Sequence, residues 1–88
     1  MFKVGDRVYF VQEGIPRFYR YPAIVDGEIH HISDDGKIFA VKYEEPYHCV
    51  KMSQSFSQDQ IGLKKTDLRE QFGRACADFR KKYLEEDI

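Results

Sequence analysis

Eighty-eight residues, with 14 basic and 15 acidic side chains and a mean hydropathy of −0.60, make one small domain and leave no room for a second core. No apolar run approaches the roughly 20 residues that a membrane-spanning helix needs. The charges are spread evenly, seven basic and eight acidic up to Lys51 and seven of each after it; duplex nucleic-acid binding, whose affinity is dominated by phosphate neutralisation, usually leaves a basic stripe that is missing here.

The opening Met-Phe-Lys-Val-Gly-Asp runs straight into a strand pattern, with no secretory apolar region, so the chain is expected to stay in the cytoplasm. Along 4–11, Val8 and Phe10 face one way and Tyr9 and Val11 the other. A long loop over 12–22 follows, punctuated by Gly14, Pro16 and Pro22. The run 23–32 is rich in β-branched residues and interrupted by Gly27, which reads as a bulge or sharp bend. Ser33-Asp34-Asp35-Gly36-Lys37 is the clearest turn, since Asp-Gly tolerates positive φ. Over 38–43 the alternation sets Phe39, Val41 and Tyr43 on one face. The pattern then offers a short strand over 48–52, a polar loop over 53–60 carrying Phe56, and a last short strand or turn at Ile61-Gly62-Leu63.

The final segment, 66–86, reads as an amphipathic helix. Leu68, Phe72, Ala75/Cys76, Phe79 and Tyr83 fall on one stripe. Thr66 or Asp67 serves as N-cap, and Asp67 with Glu70 has capping-box spacing. Gly73 marks close packing against the sheet or a break between two helices. The stripe is expected to close one side of the strand half, 1–63. A second use, through Phe79, Tyr83 and Leu84, is a homodimer or partner interface, so the chain is expected to be a monomer or a weak homodimer through this helix.

The segments Phe2-Lys3-Val4-Gly5-Asp6-Arg7-Val8-Tyr9-Phe10, Tyr21-Pro22-Ala23-Ile24-Val25 and Lys37-Ile38-Phe39-Ala40-Val41-Lys42-Tyr43 resemble the strands and turns of SH3-like barrels of the Tudor and chromo-barrel kind. The stretch 59–68 is similar to the tails of small bacterial and phage proteins in which a short strand leads into a closing helix. The likeness implies an α+β chain: a five-stranded antiparallel SH3-like (Tudor-like) barrel followed by a C-terminal amphipathic α-helix. It also implies a binding module, in which aromatic side chains often cluster at the open end of the barrel. Tyr21 and Tyr43, with Phe18, Tyr19 and Tyr47 nearby and Asp26, Glu44 and Glu45 for charge, are the residues that would form such a cluster around a methylated cation. Read from the residues alone, alternation puts Tyr43 on the inward face, and the chain has no Trp.

The segment Ile15-Pro16-Arg17-Phe18-Tyr19-Arg20-Tyr21-Pro22 is the main candidate for recognition. Two arginines alternate with three aromatics in a loop set off by prolines, a mixture suited to gripping a peptide or stacking on bases. The expected contact residues are Arg17, Phe18, Tyr19, Arg20, Tyr21 and Tyr47, and the expected partner is a protein. The alternatives are nucleic acid, bound through the same loop with Lys37 and Lys42, or a host factor modulated by a small phage or mobile-element protein.

His30, His31, His48 and Cys49 raise the question of zinc, but neighbours in a strand point to opposite faces, and two ligands are short of four. Neither a metal nor a cofactor is expected. Cys49 and Cys76 are too few for a disulfide framework and read as reduced thiols. With no phosphate loop, nucleophile motif or paired carboxylates in context, catalysis is not expected.

Overall fold

The computed structural model describes residues 2–14, 21–45 and 49–85. Five strands, β1 (Arg7–Gln12), β2 (Ala23–Ile32), β3 (Ile38–Glu44), β4 (Lys51–Ser57) and β5 (Ile61–Gly62), precede one α-helix, α1 (Arg69–Phe79). All paired strands are antiparallel, in the order β4-β3-β2-β1-β5. The chain is therefore a five-stranded antiparallel sheet with a C-terminal helix.

Period-2 alternation selects the inner face. Val8 and Phe10 of β1 lie opposite Gly27 and Val25 of β2, and Phe39 of β3 lies opposite Phe56 of β4. These side chains, with Ile29, Val41, Tyr43 and Ile61, form the buried core. On a flat sheet β1 and β4 would be about 14 Å apart, three strand spacings. The Phe10 and Phe56 rings are nevertheless 4.6 Å centroid to centroid, so the sheet is strongly curled. Hydrogen bonding does not complete the ring: among the described residues, β4 pairs only with β3. Among the described residues the sheet is therefore open along that edge.

The Ser33–Gly36 turn forms as its sequence suggests. Gly36 adopts φ 72, its N–H donates to the Ser33 carbonyl, and Asp35 Oδ1 accepts from the Ser33 hydroxyl and the Lys37 N–H. Three other local readings are corrected. Gly27 is not a bulge; it pairs in register with Val8, and a Cβ there would lie 2.6 Å from Val41 Cγ1. The bulge comes later, where the register steps from Ile29↔Val41 to His31↔Ala40, so His30 and His31 both stand opposite Ala40 and both are exposed. They do not take opposite faces, as a regular strand would require. The fourth strand is Lys51–Ser57, where sequence pattern suggested a strand ending at Met52 and then a polar loop. Ser53, Gln54 and Ser55 are exposed although they lie in a strand, so no apolar alternation marks it.

The helical segment starts with a 3₁₀ turn, Lys65–Leu68. Asp67 is not its N-cap; the carboxylate reaches back and accepts from the Lys64 N–H at 3.1 Å. α1 then runs unbroken through Gly73, where a Cβ would meet nothing within 4 Å, and passes into a π-helical turn at Arg80–Glu85. Leu68 and Phe79 are buried at its two ends, while Phe72, Ala75 and Cys76 between them are half-buried. Polar ties reinforce the N-terminal end: Gln71 Nε2 donates to the Asp59 carbonyl, and the Lys65 ammonium sits 5.9 Å from the Tyr9 ring centre.

Candidate interaction surface

The β1–β2 loop leaves the sheet after Gln12 and returns at Ala23. Both of its described ends lie beside α1. Glu13 and Gly14 share a cavity of about 140 Å³ with Ala75, Asp78, Phe79 and Lys82. On the other side, Tyr21 and Pro22 line a groove of about 280 Å³ with Phe72, Cys76, Phe79 and Arg80. Phe79 borders both, so the C-terminal end of the helix sits between the two ends of the loop. Tyr21 is 58% exposed, yet its ring lies 4.9 Å from the buried Phe79 ring at 45°. Such an arrangement orders an exposed aromatic without hiding it. The described lining of this groove is apolar except for Arg80 and carries no carboxylate. A concave apolar surface beside one guanidinium suits an apolar side chain followed by an acceptor group.

Of the six residues assigned to recognition, Tyr21 is the one the structure describes; Arg17, Phe18, Tyr19, Arg20 and Tyr47 lie outside the described residues. His48 also lies outside them. The helix half of the groove, Phe72, Cys76, Phe79 and Arg80, was not assigned to this site from sequence. Its signal was present as the apolar stripe, but nothing local tells a stripe which loop it will meet.

A second cavity, of about 350 Å³, is lined by Arg7, Asp26, Tyr43, Glu44, Glu45 and Cys49. The carboxylates considered for a cation site are therefore together around Tyr43. Tyr21 is not with them; it stacks on Phe79. Tyr43 packs edge-on against Phe10 at 4.8 Å, and its hydroxyl donates to Gln54 Oε1 at 3.2 Å. Burial, and then the negative charge of Glu45, hold its phenol above the usual value of 10.0. Among the described residues this cavity has one ring, fewer than the several faces that enclose a methylated cation.

The outer face of the sheet alternates in sign. Arg7 pairs with Asp26 and Lys42 with Glu28, both at 3.4 Å, while Glu44 stands opposite Lys51. These exposed pairs contribute little to stability, but they leave no continuous basic stripe on this face. Lys37 lies in the β2–β3 turn, five positions or about 17 Å along the strand direction from Lys42. His30 Nε2 and Ser53 Oγ are in hydrogen-bond contact at 2.8 Å. No group of three or more metal-ligating side chains occurs among the described residues, and none of the described helices is long and apolar enough to cross a membrane.

No protein-family model, curated protein or solved structure matches this chain.

Proposed function

We propose that this chain is a non-catalytic, cytoplasmic protein-interaction module built on an SH3-like, Tudor-like barrel. It engages its partner with the 15–22 loop and the helix face on which that loop's C-terminal end rests. The Tyr21–Phe79 contact carries this reading: an exposed aromatic at the end of an Arg- and Tyr-rich loop is braced on a buried helix residue, beside an apolar groove ending at Arg80. Loops on rigid scaffolds carry recognition more often than the scaffold itself. The curled sheet, with its fifth strand returning to pair with β1, supports the barrel assignment. Two free cysteines, one of them exposed, suit a reducing compartment.

The test compares partners captured by wild type, by an Arg17/Tyr19/Arg20 triple alanine variant and by Tyr21→Ala. The loop reading requires both variants to lose partners that wild type retains. Equal recovery by all three would overturn it. Capture of nucleic acid with a steep loss of affinity as salt rises would replace it with the nucleic-acid alternative.

A further inference from the structure

We propose that β4 is a dimerisation edge: two copies of the chain pair their β4 strands antiparallel about a two-fold axis at Ser53, joining two five-stranded sheets into one. The sheet has two outer strands. β5 is two residues long, and the 3₁₀ turn that follows closes over it, with Asp67 Cβ 2.8 Å from where a Cβ on Gly62 would stand. β4 is seven residues long and is in unbroken register with β3, from Ile38↔Ser57 to Glu44↔Lys51. Its other side meets no strand among the described residues. Five successive residues, Lys51 to Ser55, are exposed on both faces of the sheet.

Proteins guard such edges with proline, bulges, inward charges or several lysines, because a regular strand offers alternate N–H and C=O groups to any passing strand. Residues 51–57 contain no proline, no glycine and one charge, Lys51, and the bulge of this sheet is in β2. An unguarded edge of this regularity is a docking strand.

The sequence of the edge selects a second copy as its occupant. Pairing about Ser53 sets Lys51 opposite Ser55, Met52 opposite Gln54, and Ser53 opposite itself. Opposed residues then belong to the same face, so the core-side row Met52/Gln54 continues into the partner's equivalent row. The single charge of the stretch meets a hydroxyl. The two Lys51 side chains are four positions apart, about 13 Å along the strand, which exceeds the screening length of about 8 Å at physiological salt. A charged foreign strand would find one countercharge here, whereas a neutral, hydroxyl- and amide-bearing strand is matched by its own copy. Met52, 46% exposed on the core-side face, would lie diagonally across the axis from its counterpart, within reach of a long side chain. Beyond Ser57 the chain turns into the 3₁₀ segment Gln58–Gln60, which ends the pairing.

The test is sedimentation equilibrium of the full chain from about 1 μM to about 1 mM, the range in which a short strand-to-strand contact would associate. Wild type should move from monomer to dimer. Ser53→Lys sets two ammonium groups directly opposite each other and should weaken the dimer by up to about fivefold, as should Ser53→Asp with two carboxylates. An equimolar mixture of the two variants should recover a heterodimer. Ser53 is exposed, but its hydroxyl meets His30 and it stands opposite Lys42 on β3, so circular dichroism and the urea midpoint of each monomeric variant are measured first to separate a loss of fold from a loss of dimer. If either fails to fold, hydrogen exchange on wild type decides, with the 51–55 amides better protected at high concentration than at low. A chain that stays monomeric over the whole range overturns the proposal. So does a dimer indifferent to both Ser53 variants, or one that is lost instead on Phe72→Ala, which would place the contact on the helix.

Discussion

Gly27→Ala and Gly73→Ala make the same chemical change with opposite expected signs. At Gly27 the added methyl would fall 2.6 Å from Val41 Cγ1, 2.7 Å from the Lys42 carbonyl oxygen and 3.1 Å from Tyr43 Cβ. Val41 is fully buried, and the Lys42 oxygen belongs to the backbone of β3, so neither neighbour can swing aside as an exposed side-chain tip would. Relief to ordinary contact requires β2 and β3 to part by close to an ångström. Overpacking of this kind costs about 1–3 kcal/mol, and the smaller unfolded-state entropy of alanine returns about 0.4–1 kcal/mol. The net loss is about 1–2 kcal/mol, which lowers Tm by about 4–16 °C in a domain of this size. At Gly73 the methyl would meet nothing within 4 Å in an exposed helical position. There alanine should stabilise by about 0.5–1 kcal/mol. Urea unfolding followed by circular dichroism gives both values, and unchanged m-values keep the comparison within the folded-to-unfolded equilibrium. A Gly27→Ala protein as stable as wild type would refute the close approach of β2 to β3.

Phe10→Ala should cost about 3–5 kcal/mol, since its ring is fully buried between Phe56 and Tyr43. Phe72→Ala, at a half-buried groove position, should cost about 1–2 kcal/mol in the same urea assay; equal losses at the two sites would place Phe72 in the core. In the β2–β3 turn, hydrogen bonds from the Ser33 hydroxyl and the Lys37 N–H hold the Asp35 carboxyl below its ordinary 3.8. A depressed folded value means stability that is present above 3.8 and is lost as pH falls through the folded value. Asp35→Asn should therefore flatten the fall in urea midpoint below about pH 4, and an unaltered acid limb would show that the turn does not hold the carboxylate.

Much of the strand half was legible because burial on one face of a strand writes itself as alternation. Spacing alone set Val8 and Phe10 on one face of their strand and Phe39, Val41 and Tyr43 on one face of theirs, and both sets are buried. The Asp35-Gly36 turn was equally legible, since positive φ is a local property that glycine meets at no steric cost. β4 was misplaced because an outer strand exposed on both faces has no reason to alternate, and Ser-Gln-Ser reads the same in a strand as in a loop. A bulge or sharp bend was expected at Gly27 because glycine permits either, but only the pairing with β3 decided where the extra residue went. The helix stripe was visible by its period, whereas its division into buried ends and a half-buried middle was not.

Composition and period thus determined by themselves that this chain forms strands joined by turns and followed by one amphipathic helix, because each residue's preference for an inner or outer face is local. Only the tertiary structure decided that the sheet curls far enough to bring Phe10 onto Phe56, that β4 is left as an open edge, and that the end of the Arg- and Tyr-rich loop rests on Phe79. Those are contacts between segments far apart in the chain. Their choice depends on strand pairing and volume across the whole core, which no local pattern encodes.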